Sequence, residues 1–254
     1  MSKDSISLKD LESYVSKLLN ATQFDEKSYN GIQVANQGVV SKIATAVSAS
    51  EETIRKAIEL NVQALIVHHG LFRKTDPHPL VGPLYTKVKL LMDHNIALLG
   101  YHLPLDADQT VGNNWKAAKD LGVKECKPFL PYKTIPIGVV GEISATSFES
   151  LKQRVQEYYG RKADAVKVKD TIKTVAIVSG AADTCIKDAA QIGADCFITG
   201  RVDEPVWDHA HEFGISFLGL GHYATETVGP KALADALHKH FKISVNFIKT
   251  DNPF

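Results

Sequence analysis

The sequence predicts an α/β protein built from two related lobes with mixed, largely parallel sheets. Three observations support this class: short apolar runs alternate with amphipathic segments, the pattern repeats once, and polar residues follow the ends of the apolar runs. Continuous apolar strands separated by helices are typical of a largely parallel sheet covered on both faces. With 254 residues, 44% of them hydrophobic, the chain is long enough for one large domain or two small lobes.

The predicted elements follow from local composition and periodicity. The strands are short runs rich in aliphatic residues, namely Ile43–Ser48, Ala64–Val67, Ile96–Tyr101, Ile137–Ile143, Thr174–Ser179, Cys196–Thr199, Ile215–Gly219 and Ser244–Ile248. The helices carry apolar residues at helical spacing, namely Leu8–Asn20, Glu51–Leu60, Pro83–His94, Phe148–Tyr159, Asp183–Ile192 and Ala224–His240. Several prolines near Cys126–Pro136 make it the predicted linker. The expected division is residues 1–125 for the first lobe and 126–254 for the linker and second lobe, with one compact domain as the alternative.

An internal repeat relates the two predicted lobes. Lys42–Ser48 aligns with Lys173–Ser179, and each is followed by a helix and a second strand. Further on, Asn95–Gly100 aligns with Gly214–Gly219, and each leads within three residues to a histidine. Chance similarity between two ordinary α/β patterns is the alternative. In both copies polar residues follow the strand ends, where open α/β sheets form their ligand crevices.

Charge and composition argue against several classes of function. The chain has 29 basic and 29 acidic side chains, so no overall field attracts nucleic acid or an acidic membrane. No apolar run approaches the roughly 18 residues of a membrane span. The first residues mix acidic with basic side chains and lack an apolar stretch, which predicts no signal peptide. Three cysteines without metal-type spacing predict a reducing compartment, so the expected location is the cytoplasm.

The strongest chemical signal is a pair of adjacent histidines. His68 and His69 stand at the end of a predicted buried strand, directly before Gly70. Neighbouring side chains at a strand end diverge, so the pair suits two metal ions better than one. The ordinary alternative to a metal ligand is a core histidine whose ring nitrogens are hydrogen-bonded within the protein.

A second strand end delivers His102 and, four residues later, Asp106. Pro104 disfavours helix at the residue before it, so the sequence predicts a loop of fixed shape that presents Asp106. The alternative is that Asp106 caps the turn before the next helix.

A third strand end, Gly219–Glu226, opens a predicted helix. His222 and Glu226 stand four residues apart, a spacing that brings two side chains to one face and to a single ion. A stabilising acid in the first helical turn is the alternative. A nucleotide-binding loop is not favoured, because the segment lacks the third glycine at dinucleotide spacing and the phosphate-loop lysine.

Three imidazoles and two carboxylates make up this candidate ligand set: His68, His69, Asp106, His222 and Glu226. Five ligands are too many for one tetrahedral zinc with an open catalytic position. They suit two divalent ions roughly 3.5–4 Å apart, bridged by a carboxylate and a hydroxide. Two dications less two carboxylates and one hydroxide leave one positive charge, which favours an anionic substrate. Zinc, iron, manganese, nickel and cobalt all accept these donors, so the identity of the metal stays open.

These segments resemble the dinuclear-metal-centre family of GTP cyclohydrolase I type 2 homologues. The matching elements lie in family order along nearly the whole chain: Tyr29–Val34, Val67–Phe72, Tyr101–Asp106, Ile198–Gly200 and Gly221–Glu226. The resemblance implies the same five ligands, with Asp106 and Glu226 as the bridging groups. It also implies two α/β lobes facing across the site and a toroidal homohexamer. Gly70 departs from the family, since many members carry proline there, and so does Ser28-Tyr29, where a tryptophan and an acid are frequent.

Other polar residues are weaker candidates. His102 is the candidate catalytic residue, exchanging protons with a metal-bound water, and a structural hydrogen bond is the alternative. Arg73 and Lys74 follow the histidine pair and could meet a phosphate, or form a solvated turn. Arg201 ends the strand that matches the histidine strand, as a pocket residue or as part of a turn.

Two functions from different classes are consistent with these residues. The first is a hydrolase dependent on two divalent metal ions per chain, and the resemblance implies attack on the guanine ring of GTP with release of formate. Its substrate is a small anion, with a nucleotide as the candidate. The second is a non-catalytic, ring-shaped protein that binds a metal, a nucleotide or a protein partner. Neutral charge weakens a version that clamps DNA.

Overall fold

A computed structural model describes residues 5–75 and 79–254. Its strands, in chain order, are β1 (Ile6–Ser7), β2 (Gly31–Val34), β3 (Val39–Val40), β4 (Lys42–Ser48), β5 (Ala64–His69), β6 (Ala97–Gly100), β7 (Lys124–Tyr132), β8 (Ile135–Ser147), β9 (Asp164–Val166), β10 (Thr171–Val178), β11 (Cys196–Thr199), β12 (Ser216–Gly219) and β13 (Ser244–Phe247). Its α-helices are α1 (Leu8–Leu18), α2 (Glu51–Glu59), α3 (Gly82–Asp93), α4 (Leu103–Ala107), α5 (Asn113–Asp120), α6 (Phe148–Tyr159), α7 (Ile186–Gln191), α8 (Val206–Phe213), α9 (His222–Thr225) and α10 (Val228–Phe241). The mixed α/β class predicted from the sequence is confirmed.

The chain divides into two compact units. The first contains Met1–Val111 and Gly229–Asp251, and the second contains Gly112–Val228 and Asn252–Phe254. The first boundary lies after residue 111, whereas the sequence predicts it after residue 125. In addition, β13 pairs in parallel with β4 and so belongs to the first unit.

The main sheet of the first unit has the strand order β13-β4-β5-β6-β2, and all its pairings are parallel except that of β6 with β2. Alternate residues of each strand face different core clusters. Ile66 of β5 packs in one cluster, whereas Leu65 and Val67 pack in the other. Helices therefore cover both faces, which explains why the parallel strands are apolar at nearly every position. Burying each such side chain contributes roughly 1.5–3 kcal/mol.

Local sequence explains where the helices of this unit begin. At the start of α2 the hydroxyl of Ser50 accepts a hydrogen bond from the backbone N–H of Thr53, and Glu51 and Glu52 occupy the first turn. A capping hydroxyl and acidic residues both stabilise a helix N-terminus, so α2 begins where the sequence predicts.

The sheet of the second unit is more mixed than predicted. Its order is β7-β8-β10-β11-β12-β9, and only β10 with β11 and β11 with β12 pair in parallel. The other three pairings are antiparallel. Core clusters again lie on both faces, with Ile198 in one and Phe197 in the other.

The internal repeat corresponds to equivalent strands. The first copy forms β4, β5 and β6, and the second forms β10, β11 and β12, each a set of three adjacent parallel strands. Because adjacent parallel strands end at one edge, each unit presents its own row of strand ends.

The segment predicted as a linker, Cys126–Pro136, is instead part of a β-hairpin, and that prediction was wrong. β7 and β8 pair as antiparallel strands, with Pro131 opposite Pro136 beside the turn. β7 is an edge strand, where proline is tolerated because no further strand needs its missing N–H. Proline content alone therefore did not distinguish an edge hairpin from a linker.

Two predicted helices are each divided in the structure. Asp183–Ile192 begins with a short 3₁₀ turn, Asp183–Cys185, before α7. Ala224–His240 contains the end of α9 and most of α10, with a break between them. Because of this break, His222 begins a separate short helix and Glu226 directly follows it.

The structure also describes the state of the cysteines and the hydropathy of the helices. Cys126, Cys185 and Cys196 are free of disulfide bonds, and burial raises the pKa of the Cys196 thiol. Across residues 5–75 and 79–254, no helix combines the length and the hydropathy that crossing a bilayer requires.

A buried hydrogen bond between β4 and α10 provides a test of the first unit. The hydroxyl of Thr45, which is fully buried, donates to the carbonyl of Pro230 at 2.8 Å. We expect Thr45→Val to lower the free energy of unfolding by about 1 kcal/mol, the net value of a typical hydrogen bond. Urea denaturation measures this. Thr171→Val at an exposed position of β10 is the control, and an equal loss in both variants would contradict the assignment.

Candidate metal centre

Four of the predicted residues lie at the carboxyl ends of two adjacent parallel strands in the first unit. His68 and His69 are the last two residues of β5, His102 follows β6, and Asp106 lies in α4. One ligand atom from each of the three histidines lies within 4.8 Å of the others, a grouping that could hold a metal ion. Nε2 of His68 is 3.6 Å from Oδ2 of Asp106.

The three imidazoles are each held through Nδ1. The contacts are His68 to the carbonyl of Tyr101 (3.2 Å), His69 to the hydroxyl of Ser48 (3.0 Å) and His102 to the carboxylate of Glu26 (2.6 Å). A carbonyl and a carboxylate only accept hydrogen bonds, so His68 and His102 donate from Nδ1 and keep Nε2 as the nitrogen with the lone pair. Metal-binding histidines are typically oriented in this way.

Asp106 lies in a helix rather than in the predicted loop, and that expectation was wrong. Pro104 stands in the first turn of α4, where its missing N–H is not needed and its fixed φ suits the helix. The alternative capping role belongs to Asp108, whose Oδ1 accepts from the N–H groups of Thr110 and Val111. Asp106 is buried, with 7% of its surface exposed.

The Gln33 side chain connects the segment after β5 with the segment before β2, a role that sequence reasoning did not identify. Its Oε1 accepts from the N–H of Leu71 at 2.8 Å, and its Nε2 donates to the carbonyl of Tyr29 at 2.8 Å. A Cβ at Gly70 would lie 2.2 Å from Nε2 of Gln33, and one at Gly100 would lie 2.5 Å from it. Glycine at both positions therefore leaves room for the amide, which accounts for Gly70 in this chain.

The second unit contains the other two predicted residues. His222 is the first residue of α9, and Glu226 directly follows that helix. Nε2 of His222 is 3.0 Å from Oε1 of Glu226, and the Glu226 side chain is only 4% exposed.

Glycines after β10 and β11 make room for this pair. A Cβ at Gly180 would lie 2.3 Å from Oε1 of Glu226, and one at Gly200 would lie 2.8 Å from the Cα of His222. The hydroxyl of Thr225 also accepts from the N–H of Gly180 at 3.0 Å. Sequence reasoning did not single out Gly180. The available signal was its place just after the repeated strand.

The remaining basic candidates contact acidic or backbone groups. Nε of Arg201 donates to Oδ1 of Asp183 at 2.6 Å, and this buried carboxylate raises the pKa of the arginine. Nζ of Lys74 lies 3.7 Å from the exposed Asp25 carboxylate. Arg73 forms an isolated antiparallel bridge with Ser28.

Comparison with known proteins gives consistent results. Residues 6–253 match the family described as Duf34/NIF3 (NGG1p interacting factor 3). A protein of Chlamydia pneumoniae named GTP cyclohydrolase 1 type 2 homolog is 44% identical over 251 residues, which cover 96% of this chain and 98% of the relative. A protein of Escherichia coli K12 with the same name is 34% identical over 247 residues, covering 96% and 98%. The crystal structure of TTHA1606 from Thermus thermophilus superposes with a TM-score of 0.89 at 32% identity, covering 98% of this chain and all of that one.

The glycine after β10 provides a test of the second unit. Gly180→Ala should displace the Glu226 carboxylate, because the new Cβ and Oε1 would be 2.3 Å apart. We expect affinity for a divalent ion to fall about 10-fold or more, as when groups that orient ligands are lost. Titration calorimetry with Mn²⁺ or Zn²⁺ measures this.

Gly193→Ala is the matched control for this substitution. Gly193 also has a positive φ, +82° against +70° at Gly180, but its Cβ would meet no heavy atom within 4 Å. Backbone strain alone should therefore leave ion affinity unchanged. Equal affinity in both variants would show that Glu226 does not depend on the space at Gly180.

Proposed function

The chain belongs to the Duf34/NIF3 family, and from this premise we propose that it is a metal-dependent hydrolase of a small anionic substrate. The observation that carries the proposal is the histidine cluster of the first unit. His68, His69 and His102 hold their Nδ1 atoms in hydrogen bonds and offer ligand atoms within 4.8 Å of one another. Three imidazoles gathered at one edge of the sheet, beside the Asp106 carboxylate, supply the nitrogen and oxygen donors that zinc, iron and related divalent ions prefer.

The proposed centre holds two divalent ions per chain through five ligands: His68, His69, Asp106, His222 and Glu226. Imidazole nitrogens and carboxylate oxygens fit zinc, iron, manganese, nickel or cobalt. Within each unit a histidine and a carboxylate of this set already lie 3.6 Å and 3.0 Å apart, which supports their use as ligands. When bound, such ions supply Lewis-acid polarisation and lower the pKa of water.

His102 is the proposed catalytic residue. Its Nδ1 donates to Glu26, so Nε2 carries the lone pair and is the atom that takes a proton from the attacking water. The same nitrogen then returns the proton to the leaving group. Its ring centroid lies 5.0 Å from that of His68 and 5.6 Å from that of His69, which places this base beside the proposed ligands.

The proposed substrate is a purine nucleotide. Two dications outweigh the two carboxylates of the ligand set, so the site attracts an anion. The relatives named GTP cyclohydrolase 1 type 2 homolog support the finer form, in which one water opens the guanine ring of GTP at C8 and a second water hydrolyses the resulting formamide, which releases formate. A cytoplasmic homohexamer is also part of this proposal, and light scattering after size exclusion measures the assembly.

Metal analysis tests the proposed centre directly. We expect about two ions per wild-type chain after refilling with zinc, manganese or iron, and a loss of at least one in His69→Gln and in Glu226→Gln. Turnover of nucleotides should fall about 100-fold or more in both variants, because the metal ions carry the activation of water. Elemental analysis by plasma mass spectrometry and assays for formate and phosphate measure these quantities.

His94→Gln is the matched control, because His94 is an exposed histidine at the end of α3. It should bind and turn over as the wild type does. An absence of bound ions in the refilled wild type would contradict the metal centre. Two bound ions without release of formate or phosphate from a nucleotide panel would contradict the hydrolase and favour a non-catalytic, ring-shaped binding protein.

A further inference from the structure

We propose that Glu26 is a positioning residue that fixes the tautomer and orientation of His102. Glu26 lies between α1 and β2 and is 5% exposed. A carboxylate this deeply buried is rare in proteins unless it is paired. The inference rests on the proposed function only in taking His102 as the group that accepts a proton from water.

The Glu26 carboxylate receives three hydrogen bonds. Oε2 is 2.6 Å from Nδ1 of His102, while Oε1 accepts from Nδ2 of Asn30 at 2.8 Å and from the N–H of Leu103 at 3.1 Å. Asn30 in turn accepts from the backbone N–H of His102 at 2.9 Å through Oδ1. Backbone and ring of His102 are thus held by two residues that precede it by more than seventy positions.

The chemistry of these contacts determines where the imidazole proton lies. An ionised carboxylate accepts hydrogen bonds and donates none, so Nδ1 of His102 must carry the proton. Nε2 is then the accepting nitrogen, and the ring lies beside His68 and His69. Glu26 therefore keeps the lone pair of His102 on Nε2, in a ring that lies beside His68 and His69, much as a carboxylate orients the histidine of a hydrolytic triad.

Glutamine at position 26 should reverse this arrangement. An amide has one oxygen and one NH₂ group, whereas the site of Glu26 contains three donors. Two of these donors, from Asn30 and Leu103, converge on one oxygen, so the amide oxygen stays there. The NH₂ group then faces Nδ1 of His102, which has to accept, and the proton moves to Nε2.

Histidine tautomers measured by long-range ¹H–¹⁵N correlation in the metal-free protein test this proposal, under alkaline conditions in which an ordinary histidine is neutral. Loss of the resonance in His102→Gln assigns it. We expect the Nδ1–H tautomer in the wild type, the Nε2–H tautomer in Glu26→Gln and the Nδ1–H tautomer again in Glu26→Asp, which keeps the carboxylate. An Nε2–H wild type, or an unchanged tautomer in Glu26→Gln, would overturn the proposal.

Asp195→Asn is the matched control for removal of a charge. Like Glu26, Asp195 accepts three hydrogen bonds, here from two backbone N–H groups and one side chain, but it lies in the second unit. His102 should keep its tautomer in this variant. Far-UV circular dichroism of each variant verifies the fold, and the Glu26→Asp spectrum provides the answer if Glu26→Gln does not fold.

Metal content and turnover separate this proposal from the proposed function. Glu26→Gln should bind as many ions as the wild type, with kcat lowered about 100-fold and KM little changed, because only the proton acceptor is lost. Loss of the ions would overturn the proposal by assigning Glu26 to metal retention. A wild type that turns over no nucleotide yet shows the expected tautomers would refute the hydrolase and leave the positioning role supported.

Discussion

Parallel pairing of β4, β5 and β6 is the constraint on which the candidate centre of the first unit depends. Strands that run in the same direction must end at the same edge, so His68 and His69 at the end of β5 lie beside the segment that leaves β6. That segment carries His102 and Asp106. The two chain segments also remain in contact beyond their paired residues, because Nδ1 of His68 contacts the carbonyl of Tyr101, directly after β6.

Elements with strong local sequence signals were the most predictable part of the molecule. β11 and α6 have the predicted bounds, since a continuous apolar run and a capped amphipathic segment are local signals. Pro104 misled the prediction for Asp106, because proline breaks a helix in its interior and fits its first turn equally well. Glu26 was not predictable, because its contact with His102 spans 76 positions and arises only from the fold.

The two copies of the repeat have developed different chemistry on equivalent strands. The first copy ends its middle strand, β5, with two imidazoles, whereas the second ends β11 with Thr199 and then Gly200. In the first unit the strand ends carry imidazole side chains. In the second unit Gly180 and Gly200 follow the strands, and the absence of a Cβ at these glycines makes room for Glu226 and His222. The same supersecondary unit thus ends in imidazole side chains in one place and in glycines that make room for other residues in the other.

The division of the chain between the units determines which unit can complete its fold first during synthesis. The strand β13 and the helix α10 complete the first unit, although residues 112–228 of the second unit separate them from the rest of it. On the ribosome the first sheet therefore waits, with β4 unpaired along one side, until residues 112–228 and then β13 have emerged. The second unit has nearly all of its residues earlier, so it can fold to near completion while the other remains unfinished.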